Sequence, residues 1–218
     1  MALSKLTYNS LNVTAAASKA VGFDSGADDL SASLSGGSMK FIKKVTASSS
    51  ATVSFVDGTS DVVLDDTYKE YMFTFKDIHP ATDSADFQVN FRDGSSAYDA
   101  TKTTTFFRAY HDEGDTATVL QYEANDDVAQ GTGVQLLAVG VGSDNDQSCS
   151  GVLHLYDPSS TTFIKHFIST FSNNNASDYY NNTYIAGYCN VTAAIDAVQF
   201  SFSSGNIDAG DICLYGIS

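Results

Sequence analysis

The chain has 218 residues, 26 of them Asp or Glu against 11 Lys or Arg, a formal net charge of −15. So acidic a surface repels phosphate backbones and anionic headgroups, which argues against nucleic-acid binding and genome packaging. With 14 Phe, 12 Tyr, only 2 Pro and no apolar run of about 18 residues, the composition points to strands and not to a membrane-spanning helix.

In chain order, residues 1–37 stand apart. Ala15-Ala16-Ala17-Ser18 and Ser31–Gly37 are small, polar and punctuated by Gly, and bury too little apolar surface to offset ordering entropy. An N-terminal arm that orders on a neighbouring protein is expected here, with a loosely attached strand and loop as the equal alternative. Met1–Thr7 lacks the apolar core of a secretion signal.

From Met39 the apolar residues alternate with period two, which predicts strands over Phe41–Val45, Thr52–Val56, Tyr71–Phe75, Phe87–Phe91, Val134–Val141 and Gly151–Tyr156. The same pattern continues over Phe163–Ile168, Tyr184–Tyr188, Val198–Phe202 and Ile212–Ile217. Asp57-Gly58 and Asp93-Gly94, each following a Val-x-Phe strand, read as hairpin turns. Roughly ten short strands predict one all-β domain over 38–218, an antiparallel, jelly-roll-like β-sandwich.

Candidate chemistry is sparse. His79 precedes Pro80, His111 stands in the polar stretch His111–Asp115, and His154, flanked by Val152 and Tyr156, reads as a core-side or interface residue, as does His166 on its strand. No nucleophile elbow, zincin, P-loop or dinucleotide motif occurs, so no catalytic residue, metal ligand or cofactor is assigned and an enzyme is not expected. The acidic turns Asp112–Asp115, Asp126-Asp127 and Asp144–Asp146 place hard oxygens that Ca²⁺ could use, but they match no EF-hand loop and solvated turns are the better reading. Cys149, Cys189 and Cys213 fit neither a disulfide framework nor a CxxC site and read as reduced thiols, although Cys189 and Cys213 could pair if their strands were neighbours. The segment Ser172–Tyr184 combines Tyr179, Tyr180 and Tyr184 with Asn173, Asn174, Asn175, Asn181 and Asn182. Rigid amphipathic rings among adaptable amides are the composition of a binding loop, and an exposed polar connection between two strands is the alternative.

Three segments carry a resemblance. Val198–Ser218, strand then Gly/Asn/Asp turn then strand, together with Tyr68–Thr82 and Gly151–Phe167, resembles small structural proteins of marine tailed phages, of cyanophage and pelagiphage type. The resemblance implies a virion protein assembled in the host cytoplasm and displayed on the particle surface. It would be a tail-fibre or appendage component contacting a host-surface glycan, or alternatively a capsid decoration protein. It further implies attachment to other virion proteins through the N-terminal segment and a homotrimer. A free carbohydrate-binding module is the alternative from another class.

Overall fold

The computed structural model describes Gly22–Phe23, Leu30–Ser31 and residues 38–218. The chain divides into Met1–Ser38 and Met39–Ser218. In the first unit, β1 (Gly22–Phe23) and β2 (Leu30–Ser31) pair antiparallel; the expected arm over 1–37 otherwise lies outside the described residues.

The second unit is an antiparallel β-sandwich, as the period-two pattern requires. Its strands are β3 (Met39–Ser50), β4 (Val53–Val56), β5 (Glu70–Pro80), β6 (Ala85–Arg92), β7 (Lys102–Asp112) and β8 (Thr118–Tyr122). They continue as β9 (Gln135–Val141), β10 (Cys149–Tyr156), β11 (Lys165–Asn174), β12 (Tyr179–Cys189), β13 (Ala197–Phe202) and β14 (Ile207–Ile217). An eight-stranded sheet in the order β3-β14-β5-β10-β11-β12-β7-β8 is covered on one face by a four-stranded sheet in the order β4-β13-β6-β9. Both edges are handled by sequence: Lys40, Lys43 and Lys44 lie on edge strand β3, and β8 is short.

Phenylalanines of both sheets meet between them. Phe200 of β13 lies 4.9 Å from Phe75 and 5.4 Å from Phe73 of β5, both near-perpendicular, and 6.0 Å from Phe87 of β6. Phe171 reaches Phe75 at 4.9 Å because the facing residue on β10 is Gly151, where a Cβ would stand 2.5 Å from the Phe171 ring.

The Asp-Gly turns differ from expectation. Gly58 and Gly94 have positive φ, as such turns require, yet each closes a strand of the small sheet and sends the chain across to the large one, β4 to β5 and β6 to β7. The turn at Gly205 does the same between β13 and β14. Two-residue turn chemistry marks a reversal, and whether the next strand pairs or crosses over is decided by which faces must be buried. Cys189 on β12 and Cys213 on β14 are four strands apart in the large sheet, so they do not pair, and all three cysteines are free.

Candidate functional site

The Asn/Tyr segment, expected as a connection between strands, is itself a hairpin. β11 runs to Asn174, Asn175–Asp178 turn, and β12 begins at Tyr179, with Asn173 opposite Asn181 and Asn174 opposite Tyr180. Asn175 builds the turn: its Oδ1 accepts from Ser177 N at 2.8 Å and its own N–H donates to the Tyr179 carbonyl. Strand alternation then separates the candidate residues. Asn173, Tyr179 and Asn181 point toward the small sheet, and Asn174, Tyr180, Asn182 and Tyr184 toward the outer face.

The inward amides have a structural task. β9 is an edge of the small sheet, so carbonyls on its free side need donors. Asn173 Nδ2 donates to the Val139 carbonyl at 3.1 Å, Asn175 and Asn181 reach the same oxygen at 3.5 Å, and Thr183 Oγ1 donates to Leu137 O at 2.5 Å. On β7, Thr104 Oγ1 bonds Gln135 Oε1 at 2.5 Å. The Asn and Thr donors stand in for the strand that β9 lacks, and they tie the hairpin to the small sheet.

Beyond the end of β9 the inner face of β7 and β12 is open. Arg108, Tyr110, Asn175, Tyr179 and Asn181 line a cleft of about 240 Å³ there. The Tyr110 and Tyr179 rings meet edge to face at 5.2 Å, and the Arg108 guanidinium lies 5.2 Å from the Tyr110 centroid. Arg108 Nε donates to Glu123 Oε1 at 2.5 Å, which neutralises the cation within the cleft. Burial, followed by the neighbouring Glu123 carboxylate, raises the Asp126 carboxyl above its ordinary range. The combination of two aromatic faces, amides and a paired guanidinium suits a small, neutral, hydroxyl-rich ligand. The volume takes about one sugar ring, below the ~300 Å³ of an ordinary drug-sized pocket. Arg108 and Tyr110 were not foreseen; their signal was the alternation Phe106, Arg108, Tyr110 inside a Thr-rich stretch.

The outer half of the hairpin belongs to a different surface. Tyr184 stacks on Phe107 of β7 at 5.0 Å with an interplanar angle of 11°, and Tyr180 is more than half exposed.

Other reactive groups are engaged elsewhere. His154, on the outer face, pairs its Nδ1 with Glu70 at 2.6 Å; His79 Nε2 bonds the Asp144 carbonyl at 3.2 Å, and His111 Nε2 contacts Asp115 at 3.1 Å. The acidic turn at Asp112 is a cap: its carboxylate accepts from Thr116 N, Thr116 Oγ1 and Ala117 N, and these bonds, the Thr116 hydroxyl first, lower its pKa. Asp77, Asp146, Asp208 and His79 border a recess of about 410 Å³ at the same end of the sandwich. Among the described residues no group of three or more His, Cys, Asp or Glu is placed to hold a metal ion.

At the opposite end Lys165, Cys189 and Lys102 lie side by side across β11, β12 and β7, all buried. Burial pushes the Cys189 thiol up to about 12, so it is protonated and no nucleophile at neutral pH. Burial lowers the Lys102 amine from 10.5 to about 8. Between those values the unfolded chain holds more protons than the folded one, so Lys102 makes stability rise with pH across that window. Below it the full penalty applies, of order 3 kcal/mol. Tyr71, Cys149 and Cys189, all raised by burial, act in the opposite sense at alkaline pH. The expected result is therefore a difference: urea stability of the native chain minus that of Lys102→Met rises from pH 8 to pH 10. A flat difference would contradict the shift.

No family model, curated protein or solved structure matches the chain.

Proposed function

We propose that this chain is a non-enzymatic virion-surface protein of a tailed phage. It acts as a tail-fibre or appendage component that contacts a neutral host-surface glycan through the cleft of Arg108, Tyr110, Asn175, Tyr179 and Asn181, and residues 1–37 provide attachment to other virion proteins. The observation that carries the reading is the cleft itself: paired tyrosines and amides brought together at one end of a sandwich by β7 and the β11–β12 hairpin. The phage assignment is supported by the sequence resemblance of the 68–82, 151–167 and 198–218 segments. A capsid decoration role is favoured instead by the uncharged outer face of β10, β11, β12, β7 and β8, which suits packing against neighbours.

Because Tyr179 and Tyr180 face opposite sides of β12, single substitutions separate the two surfaces. Removing an aromatic anchor costs about 2 kcal/mol, a roughly thirtyfold loss of affinity. Tyr179→Ser is expected to weaken binding of the full chain to host envelope glycan by that factor, and Tyr180→Ser to leave it unchanged. Equal binding by the native chain and Tyr179→Ser would remove the cleft from host contact.

A further inference from the structure

The acidic residues among those described stay off the outward strand positions of one surface and meet it only at its rim, where Glu70 contacts His154, Asp115 contacts His111 and Asp127 contacts Tyr122. The outward side chains of β10 are Ser150, Val152, His154 and Tyr156; those of β11 are His166, Ile168, Thr170, Ser172 and Asn174. On β12 they are Tyr180, Asn182, Tyr184, Ala186 and Tyr188, on β7 Thr103, Thr105, Phe107, Ala109 and His111, and on β8 Thr118, Leu120 and Tyr122. Across five adjacent strands no Asp, Glu, Lys or Arg points outward. The same surface carries Leu120, Tyr122, Ile168, Tyr180, Tyr184 and Phe107, each 40–75% exposed. Exposed aromatic and aliphatic side chains concentrated on one face mark a contact surface, whereas scattered ones need no explanation.

We infer that this face binds a second copy of this chain in a two-fold, sheet-on-sheet dimer. Charge is compatible with a copy of itself: two bodies of net charge −15 repel through their acidic surfaces, and the neutral face, unlike those surfaces, lets two copies meet without setting carboxylate against carboxylate. Shape argues for two-fold pairing. A ridge formed by Phe107, Tyr184 and Tyr122, residues in register across β12, β7 and β8, stands beside a depression of about 370 Å³ lined by Thr103, Thr105, His166, Ile168, Ala186 and Tyr188. An isologous contact uses one patch twice, so the ridge of each copy enters the depression of the other. Size is adequate too: five strands about 4.8 Å apart, each presenting about eight residues at about 3.3 Å, cover roughly 600 Å² before side-chain relief, near the ~800 Å² per partner of a standard interface. This inference is independent of the virion reading.

The test is light scattering and sedimentation of the full chain at tens of micromolar. The expected mass is twice 23.2 kDa. Ile168→Asp and Ala186→Glu, both outward-facing, should weaken the dimer at least tenfold while keeping the native circular-dichroism spectrum, and Thr59→Glu, exposed on the turn after β4, should not weaken it. Raising NaCl from about 50 to about 500 mM should tighten the native dimer, because salt screens the repulsion between the acidic bodies and no ion pair crosses the contact. A monomer overturns the proposal, as does a trimer, a dimer that survives both face substitutions, or one that salt dissociates.

Discussion

Phe200→Ala is expected to destabilise the 39–218 domain by about 3–5 kcal/mol, a large share of the ~5–15 kcal/mol available to a domain. Phe200 is fully buried and its ring contacts Phe55, Phe73, Phe75 and Phe87, so truncation opens a cavity where both sheets meet and no neighbour is free to fill it. For a domain of this size that is a fall of roughly 10 °C in thermal midpoint. Phe163→Ala, at a ring 70% exposed in the β10–β11 connection, should stay within about 0.5 kcal/mol. Urea unfolding of both variants checks the pair; a Phe200→Ala loss below about 1 kcal/mol would mean the sheets do not pack through this cluster.

Lys165→Met should cost about 3 kcal/mol despite preserving the aliphatic stem. The buried ammonium donates to three carbonyls, Ser160 at 3.2 Å, Val191 at 2.7 Å and Ala193 at 2.5 Å, and ties the connections on either side of β11 and β12 together. Burial lowers the amine's pKa and offsets part of this gain. Methionine, however, leaves the half-buried Ser160 and Val191 carbonyls and the more exposed Ala193 carbonyl without their charged donor, and hydrogen bonds to a charged group are each worth about 1.5–3 kcal/mol. Hydrogen exchange should also quicken at the Ser160 and Ile195 amides, which donate to Asp157 O and Pro158 O within those connections. Stability within 0.5 kcal/mol of the native chain would contradict the clamp.

The all-β sandwich was legible because most strands bury one face, so Tyr71, Phe73 and Phe75 or Phe87, Val89 and Phe91 announce themselves by alternation. β7 and β8 were not expected, and the reason is visible at Phe106-Phe107: Phe106 faces the core and Phe107 the apolar outer surface, which erases the contrast that period-two reading needs. The 172–184 segment misled in the opposite way. Asn173, Asn181 and Thr183 point inward yet are polar, because they supply donors to the free edge of β9. An edge that must be satisfied from another sheet leaves no trace in local sequence. The cleft residues were thus half legible: Tyr179, Asn175 and Asn181 do meet in the cleft, but Arg108 and Tyr110 come from β7, distant in sequence, and Tyr180, Asn182 and Tyr184 lie on another face. His154 lies on the outer face beside Glu70, so the core-side half of its sequence reading does not hold.

The virion assignment is tested most directly by quantitative mass spectrometry of purified particles, combined with brief surface proteolysis. The account predicts that the chain co-purifies with particles and is cleaved while they remain intact, at a few to tens of copies for an appendage and hundreds for a capsid cover. Its absence from purified particles, with the protein found free in the lysate, would contradict the account.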